Sequence, residues 1–141
     1  TRVFFEGPYG TFTASRASRG HITLIGGGVG ITPLRAIIDE IPETTSIEVL
    51  FRARSEVDLV LKQELDELSR SRHINVHYLV GSRSDYPINE TTIKKYAPRF
   101  ADSDVYVCGP ESLIDDVINA CKSAGIPKNR VHHEAFLYHA Q

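Results

Sequence analysis

The stretch Leu24-Ile25-Gly26-Gly27-Gly28-Val29-Gly30-Ile31-Thr32-Pro33-Leu34 decides the fold of this chain of 141 residues. An apolar strand runs into four closely spaced glycines, and an amphipathic helix follows. Glycine allows positive φ angles and lets a ligand approach where a Cβ would block it. The free N–H groups at the start of a helix favour an anion. The pattern therefore predicts a phosphate-binding turn between a strand and a helix.

This glycine turn differs from the two common nucleotide motifs. Gly26 and Gly28 supply the G-x-G of a dinucleotide fingerprint, but Ile31 stands where its third glycine belongs. No Gly-Lys-Ser/Thr follows, so the turn is not a P-loop either. Thr32 and Pro33 occupy that place, and proline suits the first turn of a helix because its missing N–H would have no partner there.

Composition narrows the class of protein. With 41% apolar and 24% charged residues, the chain fits one compact domain. A formal charge of -2 gives no electrostatic basis for binding nucleic acid, and no apolar run is long enough to span a bilayer. Cys108 and Cys121 are too far apart for a Cys-x-x-Cys pair, which favours a reduced, cytoplasmic setting. The start at Thr1, without a signal-like segment, suggests a piece of a longer protein.

Strand and helix patterns alternate along the chain, which predicts an α/β fold with a doubly wound, five-stranded parallel sheet and flanking helices. The strands are expected at His21 to Ile25, Ser46 to Phe51, Ile74 to Val80, Asp104 to Cys108 and Arg130 to Phe136. Helical spacing joins Leu34 to Ile41, Val57 to Leu68 and Leu113 to Ala124, and a shorter helix is expected at Thr91 to Ala97.

The strands differ in a way that predicts their order. Residues 22–25 and 105–108 are nearly continuous apolar runs, as in strands buried on both faces. Residues 74–80 alternate between apolar and polar, as in a half-exposed strand. The first and fourth strands are therefore expected side by side at the centre, and the third at an edge. A crevice should open at the carboxyl ends of the central pair.

Four motifs in order carry a resemblance to a known family: Gly7-Pro8-Tyr9-Gly10, the glycine turn, Cys108-Gly109-Pro110 and His133-Glu134-Ala135-Phe136. Together they resemble the ferredoxin-NADP reductase superfamily, and within it ferric-reductase and NADPH-oxidase-like proteins or bacterial flavin-dependent oxidoreductases. The resemblance implies that residues 1–20 are the end of a flavin-binding β-barrel domain plus a linker. Residues 21–141 would be the NAD(P)-binding domain.

The resemblance also implies a function. This chain would bind NADPH, with NADH as the alternative, and position the nicotinamide for hydride transfer to FAD or FMN in the adjoining barrel domain. The electrons would pass on to ferric iron, oxygen or a metal centre such as a haem or iron–sulfur acceptor. The family's Arg-x-Tyr-Ser/Thr flavin motif is absent, so this chain alone should not hold flavin. The expected location is cytoplasmic, including the cytoplasmic face of a membrane protein. A non-catalytic nucleotide-binding or interaction module with the same fold is the alternative.

The resemblance assigns roles to residues at the strand ends. The pyrophosphate would lie on the turn and helix start, formed by Gly28, Val29, Gly30, Ile31, Thr32 and Pro33. The nicotinamide would lie beside Cys108, Gly109 and Pro110. Catalytic positions would be Thr32, Cys108, Glu134 and Phe136, the aromatic ring shielding the flavin. Plainer readings stay open: Thr32 as a helix N-cap, Cys108 as a buried strand thiol, and Phe136 as an ordinary aromatic at a sheet end.

Arginines follow the second and third strands where the ribose should lie. Arg52 and Arg54 stand where an NAD enzyme would present an acid. Ser82-Arg83 resembles the pair that receives the 2'-phosphate in NADP-dependent relatives, and a guanidinium can make two charge-assisted bonds to a phosphate. Alternatively, Arg52 and Arg54 are surface charges, and Glu56 or Asp58 would serve NAD.

Other conspicuous residues are assigned to structure. Ser55 and Asp58 have the spacing of a helix cap, and Cys121 lies on the apolar side of the last helix. The neighbours His132 and His133 point to opposite faces of a strand, and His73 and His77 have no further ligand, so no metal site is expected.

Overall fold

The computed structural model describes residues 2–3 and 20–137. Its sheet has the order β1-β6-β5-β2-β3-β4. The strands are β1 (Arg2–Val3), β2 (His21–Gly27), β3 (Ser46–Ala53), β4 (Ile74–Val80), β5 (Asp104–Gly109) and β6 (Val131–Leu137). The helices are α1 (Ile31–Glu40), α2 (Lys62–Ser71), α3 (Glu90–Tyr96) and α4 (Glu111–Ser123).

The parallel sheet confirms the predicted class and order. β2 pairs with β3 on one side and with β5 on the other, and all four pairings among β2 to β6 are parallel. Every residue of β5 is buried, as expected of a central strand, and β4 lies at an edge. The short β1 adds a sixth, antiparallel strand to β6. Residues 4–19, which include Gly7-Pro8-Tyr9-Gly10, lie outside the described residues, and the predicted barrel end stays a prediction.

A separate apolar core lies on each face of the sheet. Leu34 and Ile38 of α1 and Leu65 of α2 are 0% exposed and pack on one face together with alternate residues of β2 and β3. Ile93 of α3 and Val117 of α4 are equally buried on the other face. Helices cover both faces, so the sheet exposes its carboxyl edge, where the turns after β2, β3, β4 and β5 meet.

The second helix begins later than the spacing predicts. The prediction ran it from Val57, but residues 56–58 form a single 3-10 turn and α2 starts at Lys62. Leu61, just before it, has a φ of 64°, which ends any continuous helix from Val57. Val57 is consequently 88% exposed and does not join the apolar face.

The predicted cap at Ser55 is also wrong in detail. Ser55 precedes the 3-10 turn, but its side chain makes no capping bond to the backbone. Its hydroxyl donates instead to Asp58 Oδ2 over 3.1 Å. The pair does interact, as a bond between two side chains.

Candidate nucleotide-binding cleft

One cleft of about 800 Å³ opens at the carboxyl edge of the sheet. Its size falls within the usual range for small-molecule sites. The turns after four parallel strands contribute to it, which matches the crevice expected at the switch between β2 and β5. The residues lining it that the sequence singled out are Gly28, Arg52, Arg54, Asp58, Ser82, Arg83 and Pro110.

Gly28 and Gly30 in the glycine turn are each required for a different reason. Gly28 has a φ of +59° and nothing within 4 Å of where a Cβ would be, so only its backbone conformation requires glycine. Gly30 has an ordinary helical φ of -62°. A Cβ there would lie 2.6 Å from the carbonyl carbon of Cys108 and nearer still to the carbonyl oxygen. Gly30 is therefore required because β5 packs directly against the turn.

The start of α1 corrects the alternative assignment of Thr32. The helix begins at Ile31, and Gly30 holds the N-cap position without a side-chain bond. Thr32 lies inside the first turn and is exposed, so it is not the N-cap residue. Ile31 is fully buried and Pro33 half-buried, which fixes the helix on the sheet. The first-turn N–H groups remain available to an anion.

Cys108 and Glu134 lie side by side at the ends of β5 and β6. They are register partners, and both are buried, with 0% and 3% exposure. Burial, followed by the nearby Glu134 carboxylate, raises the pKa of the Cys108 thiol to about 12. The thiol is therefore neutral at physiological pH and unsuited to act as a nucleophile. Phe136 continues β6, but its side chain lies outside the described residues.

Cys121 agrees with its structural assignment. It lies on α4 and is 2% exposed within the core that covers the far face of the sheet. Burial raises the pKa of its thiol to about 12 as well.

Arginines dominate the end of the cleft formed by β3 and β4. Arg52 is half-buried at the end of β3, while Arg54 and Arg83 are exposed. Burial, and then the neighbouring Arg83 charge, lower the pKa of Arg52. Two cations therefore face the same space closely enough to affect each other, which favours an anionic ligand.

The turn after β4 is a closed hydrogen-bonded loop. The Ser82 amide donates to Asp85 Oδ2 over 2.9 Å, and the Asp85 amide donates to the Ser82 hydroxyl over 3.2 Å. The bond from the Ser82 amide, and then the Ser82 hydroxyl, lower the pKa of the Asp85 carboxyl group. The Ser82 hydroxyl also lies 2.9 Å from that of Ser84. The loop therefore presents Arg83 at a defined position on the rim of the cleft.

Sequence reasoning missed several residues at this cleft. Val57, Val60, Ser112 and Leu113 line it, and Asp116 of α4 pairs with Arg83. The apolar pattern wrongly assigned Val57 to a helix face. Asp116 could have been found from helical spacing, since it follows Leu113 by three residues and so shares its side of α4.

The described residues contain neither a cluster of metal-ligating side chains nor a helix that could span a membrane. Within residues 2–3 and 20–137, no three His, Cys, Asp or Glu side chains come together as a metal site. His77 bonds Glu48 at 2.9 Å, and His132 stacks on Tyr106 with ring centroids 4.5 Å apart. No helix of the described residues is long and apolar enough to cross a membrane.

The cleft fits a dinucleotide. The Gly28 turn leaves open space where a side chain would project, a helix start follows it, and guanidinium groups lie at the far end. These donors suit the phosphate groups of a dinucleotide. The fold and the cleft together define a nicotinamide-nucleotide-binding domain of the ferredoxin-NADP reductase type.

Comparison with known proteins identifies the family. The family model described as the oxidoreductase NAD-binding domain matches residues 24–119. The chain belongs to this family, within the ferredoxin-NADP reductase superfamily.

Curated relatives are longer than this chain. The plasma membrane-associated coenzyme Q6 reductase of Saccharomyces cerevisiae is 33% identical over 135 residues, which cover 87% of this chain and 43% of that protein. NADH-cytochrome b5 reductase 2 of Yarrowia lipolytica is 37% identical over 121 residues, covering 75% and 41%. The chain thus spans less than half the length of these relatives.

A solved structure agrees in fold. The human Ncb5or structure, of its CS-b5R domains in the NAD+ form, superposes with a TM-score of 0.72 at 19% identity, over 92% of this chain and 40% of that one.

Proposed function

We propose that this chain is the NADPH-binding half of a flavin-dependent reductase. Its partner is a flavin-binding β-barrel domain of the same protein, to which residues 1–20 lead. The bound cofactors supply the chemistry, hydride transfer from nicotinamide to FAD or FMN. The chain's own residues bind the nucleotide, orient it and keep water from the nicotinamide end.

The observation that carries this proposal is the lining of the cleft at the carboxyl edge of the sheet. The cleft holds the glycine turn and the arginines, which suit the anionic half of the nucleotide. Cys108 and Glu134 are buried side by side at the ends of β5 and β6 and are not among the residues that line the cleft. A nicotinamide ring placed over the end of β5 would lie near a neutral thiol that is itself buried, and hydride transfer needs position and a dry surface more than a nucleophile.

Preference for NADPH over NADH rests on the arginines. Relatives named NADH-cytochrome b5 reductase favour NADH by their names, so the proposed preference for NADPH rests on this cleft alone. The lining of this cleft carries Arg52, Arg54 and Arg83 together with Ser82, and a single acid, Asp58. Guanidinium groups attract a 2'-phosphate, whereas an NAD site would present carboxylates to the ribose hydroxyls.

The later acceptor is proposed as ferric iron, oxygen or a metal centre, including a haem or an iron–sulfur group. We also propose the cytoplasm, including the cytoplasmic face of a membrane, as the location. A relative described as plasma membrane-associated supports the second setting.

Flavin reduction in the full protein tests the proposal. NADPH should reduce the flavin under anaerobic stopped-flow conditions with a higher kcat/KM than NADH. The variant Arg83→Ala should raise the Kd of NADPH about 10-fold, the low end expected for a charge-assisted bond at an exposed site, and leave the Kd of NADH unchanged.

Arg99→Ala is the matched control, because Arg99 is as exposed as Arg83, at 60% against 61%, and does not line the cleft. Equal affinity for the two nucleotides, with no effect of Arg83→Ala, would refute the preference for NADPH. Failure of either nucleotide to reduce the flavin would favour a non-catalytic binding module.

A further inference from the structure

Arg83 is held by a carboxylate from a different element. Its Nη2 lies 3.0 Å from Oδ1 and 2.9 Å from Oδ2 of Asp116, in the middle of α4. The Asp116 side chain is 22% exposed and the Arg83 side chain 61%. Arg83, which is exposed on the loop after β4, is thus bound to Asp116, a largely buried residue of α4.

The charge of the neighbouring Arg52 explains why Arg83 needs a carboxylate to hold it over the cleft. Arg52 faces the same cleft, and its interaction with Arg83 is repulsive, while its interaction with Asp116 is attractive. Without Asp116, its attraction would no longer offset the repulsion between the two cations. Arg83, the more exposed of the two, would then turn away into solvent.

The contact also leaves donors unused. Both hydrogen bonds to Asp116 come from Nη2. A guanidinium has five N–H donors in a fixed plane, and the bonds to Asp116 use neither the Nε–H nor the two Nη1–H donors, so these can still donate to phosphate oxygens. Asp116 therefore does not have to leave when such a ligand arrives.

We propose that Asp116 is a positioning residue for nucleotide selectivity: it holds Arg83 over the cleft so that the unused Nε and Nη1 donors of the guanidinium meet the 2'-phosphate of NADPH. This inference rests on the proposed preference for NADPH. It concerns a residue that touches Arg83 and not the ligand.

Two opposing effects of the Asp116 carboxylate decide whether its removal raises or lowers the Kd of NADPH. Ordering an arginine side chain during binding weakens binding by about 2- to 10-fold, which Asp116 avoids by ordering it beforehand. The carboxylate also repels the phosphate, but at 0.15 M salt the screening length of about 8 Å holds this penalty to roughly 2-fold across the width of a guanidinium. Positioning should therefore dominate at physiological salt.

The test measures Kd for NADPH and NADH in the full protein at 0.15 M salt. Asp116→Asn should raise the Kd of NADPH about 3- to 5-fold and leave that of NADH unchanged. Asp116→Glu, which keeps the charge, should restore most of the affinity. Asp115→Asn is the control, because Asp115 is its exposed neighbour on α4 and loses the same charge. A lower Kd for NADPH in Asp116→Asn would overturn the proposal.

A double variant separates this inference from the proposed function. In an Arg83→Ala background, Asp116→Asn should have no further effect on NADPH, because Asp116 acts through Arg83. If Arg83→Ala weakens NADPH but Asp116→Asn does not, the positioning role alone fails. If Arg83→Ala has no effect on NADPH, the preference for NADPH fails first. An equal loss of NADH affinity in Asp116→Asn would show a general disturbance of the cleft and overturn the positioning role.

Discussion

Replacing Gly30 with alanine should destabilise the domain by direct overlap with the backbone. The new Cβ would lie 2.6 Å from the carbonyl carbon of Cys108 and 3.1 Å from the amide nitrogen of Gly109. Ordinary Cβ contacts are longer than about 3.4 Å, so the turn or β5 must move by several tenths of an ångström. β5 is hydrogen-bonded between β2 and β6 and fully buried, so it cannot move alone.

The loss of stability in Gly30→Ala depends on how far the backbone around the new Cβ can move. Overpacking a core typically costs 1–3 kcal/mol. The overlapping atoms here belong to the backbone, so we expect about 3 kcal/mol or more for Gly30→Ala. At Gly28 the space is open and only the φ of +59° resists a side chain, so Gly28→Ala should cost about 1 kcal/mol.

Urea unfolding followed by far-ultraviolet circular dichroism measures these free energies. Gly20→Ala is the control, since a Cβ at that exposed residue meets nothing within 4 Å, and its change should stay within about 0.5 kcal/mol. A Gly30→Ala loss no larger than that of Gly28→Ala would refute the reasoning that β5, and not a ligand, requires this glycine.

Two further outcomes are expected. In the full protein, Cys108→Ala should slow flavin reduction by NADPH at least about 10-fold while changing the Kd of NADPH less than about 2-fold. The reason is that the proposed role of Cys108 is to position the nicotinamide and not to bind the phosphates. An unchanged stopped-flow rate, matching a Cys121→Ala control, would contradict this. Asp66 accepts bonds from Tyr78 over 2.6 Å and Lys62 over 2.9 Å, with Lys62 the larger cause of its lowered pKa. A lowered folded-state pKa contributes stability above the unfolded value of about 3.9 that is lost as pH falls. Asp66→Asn should therefore cost about 1 kcal/mol at pH 7 and progressively less between pH 5 and 3, and a cost independent of pH in urea titrations would contradict it.

The order of the central strands was predictable because burial on both faces leaves a simple trace in sequence. Residues 105–108 of β5 are apolar and the strand lies at the centre, while β4 alternates and lies at the edge. The start of α2 was not predictable in this way. Val57 and Leu61 fit helical spacing, but Leu61 adopts a left-handed φ, which no local preference of leucine favours. The ion pair between Arg83 and Asp116 joins residues 33 positions apart, so it depends on how α4 packs beside the loop after β4.

The residues proposed for the two ends of the nucleotide differ in how freely they can change. Arg54 and Arg83 are exposed, so their substitution should have little effect on the core. Cys108 and Glu134 are buried on neighbouring strands and do not line the cleft, so a change there disturbs the sheet itself. Substitutions that test the nucleotide preference should therefore be better tolerated at Arg54 and Arg83 than at Cys108 or Glu134. Arg52 is the exception, because it is half-buried at the end of β3 and its cost would fall on both the fold and the ligand.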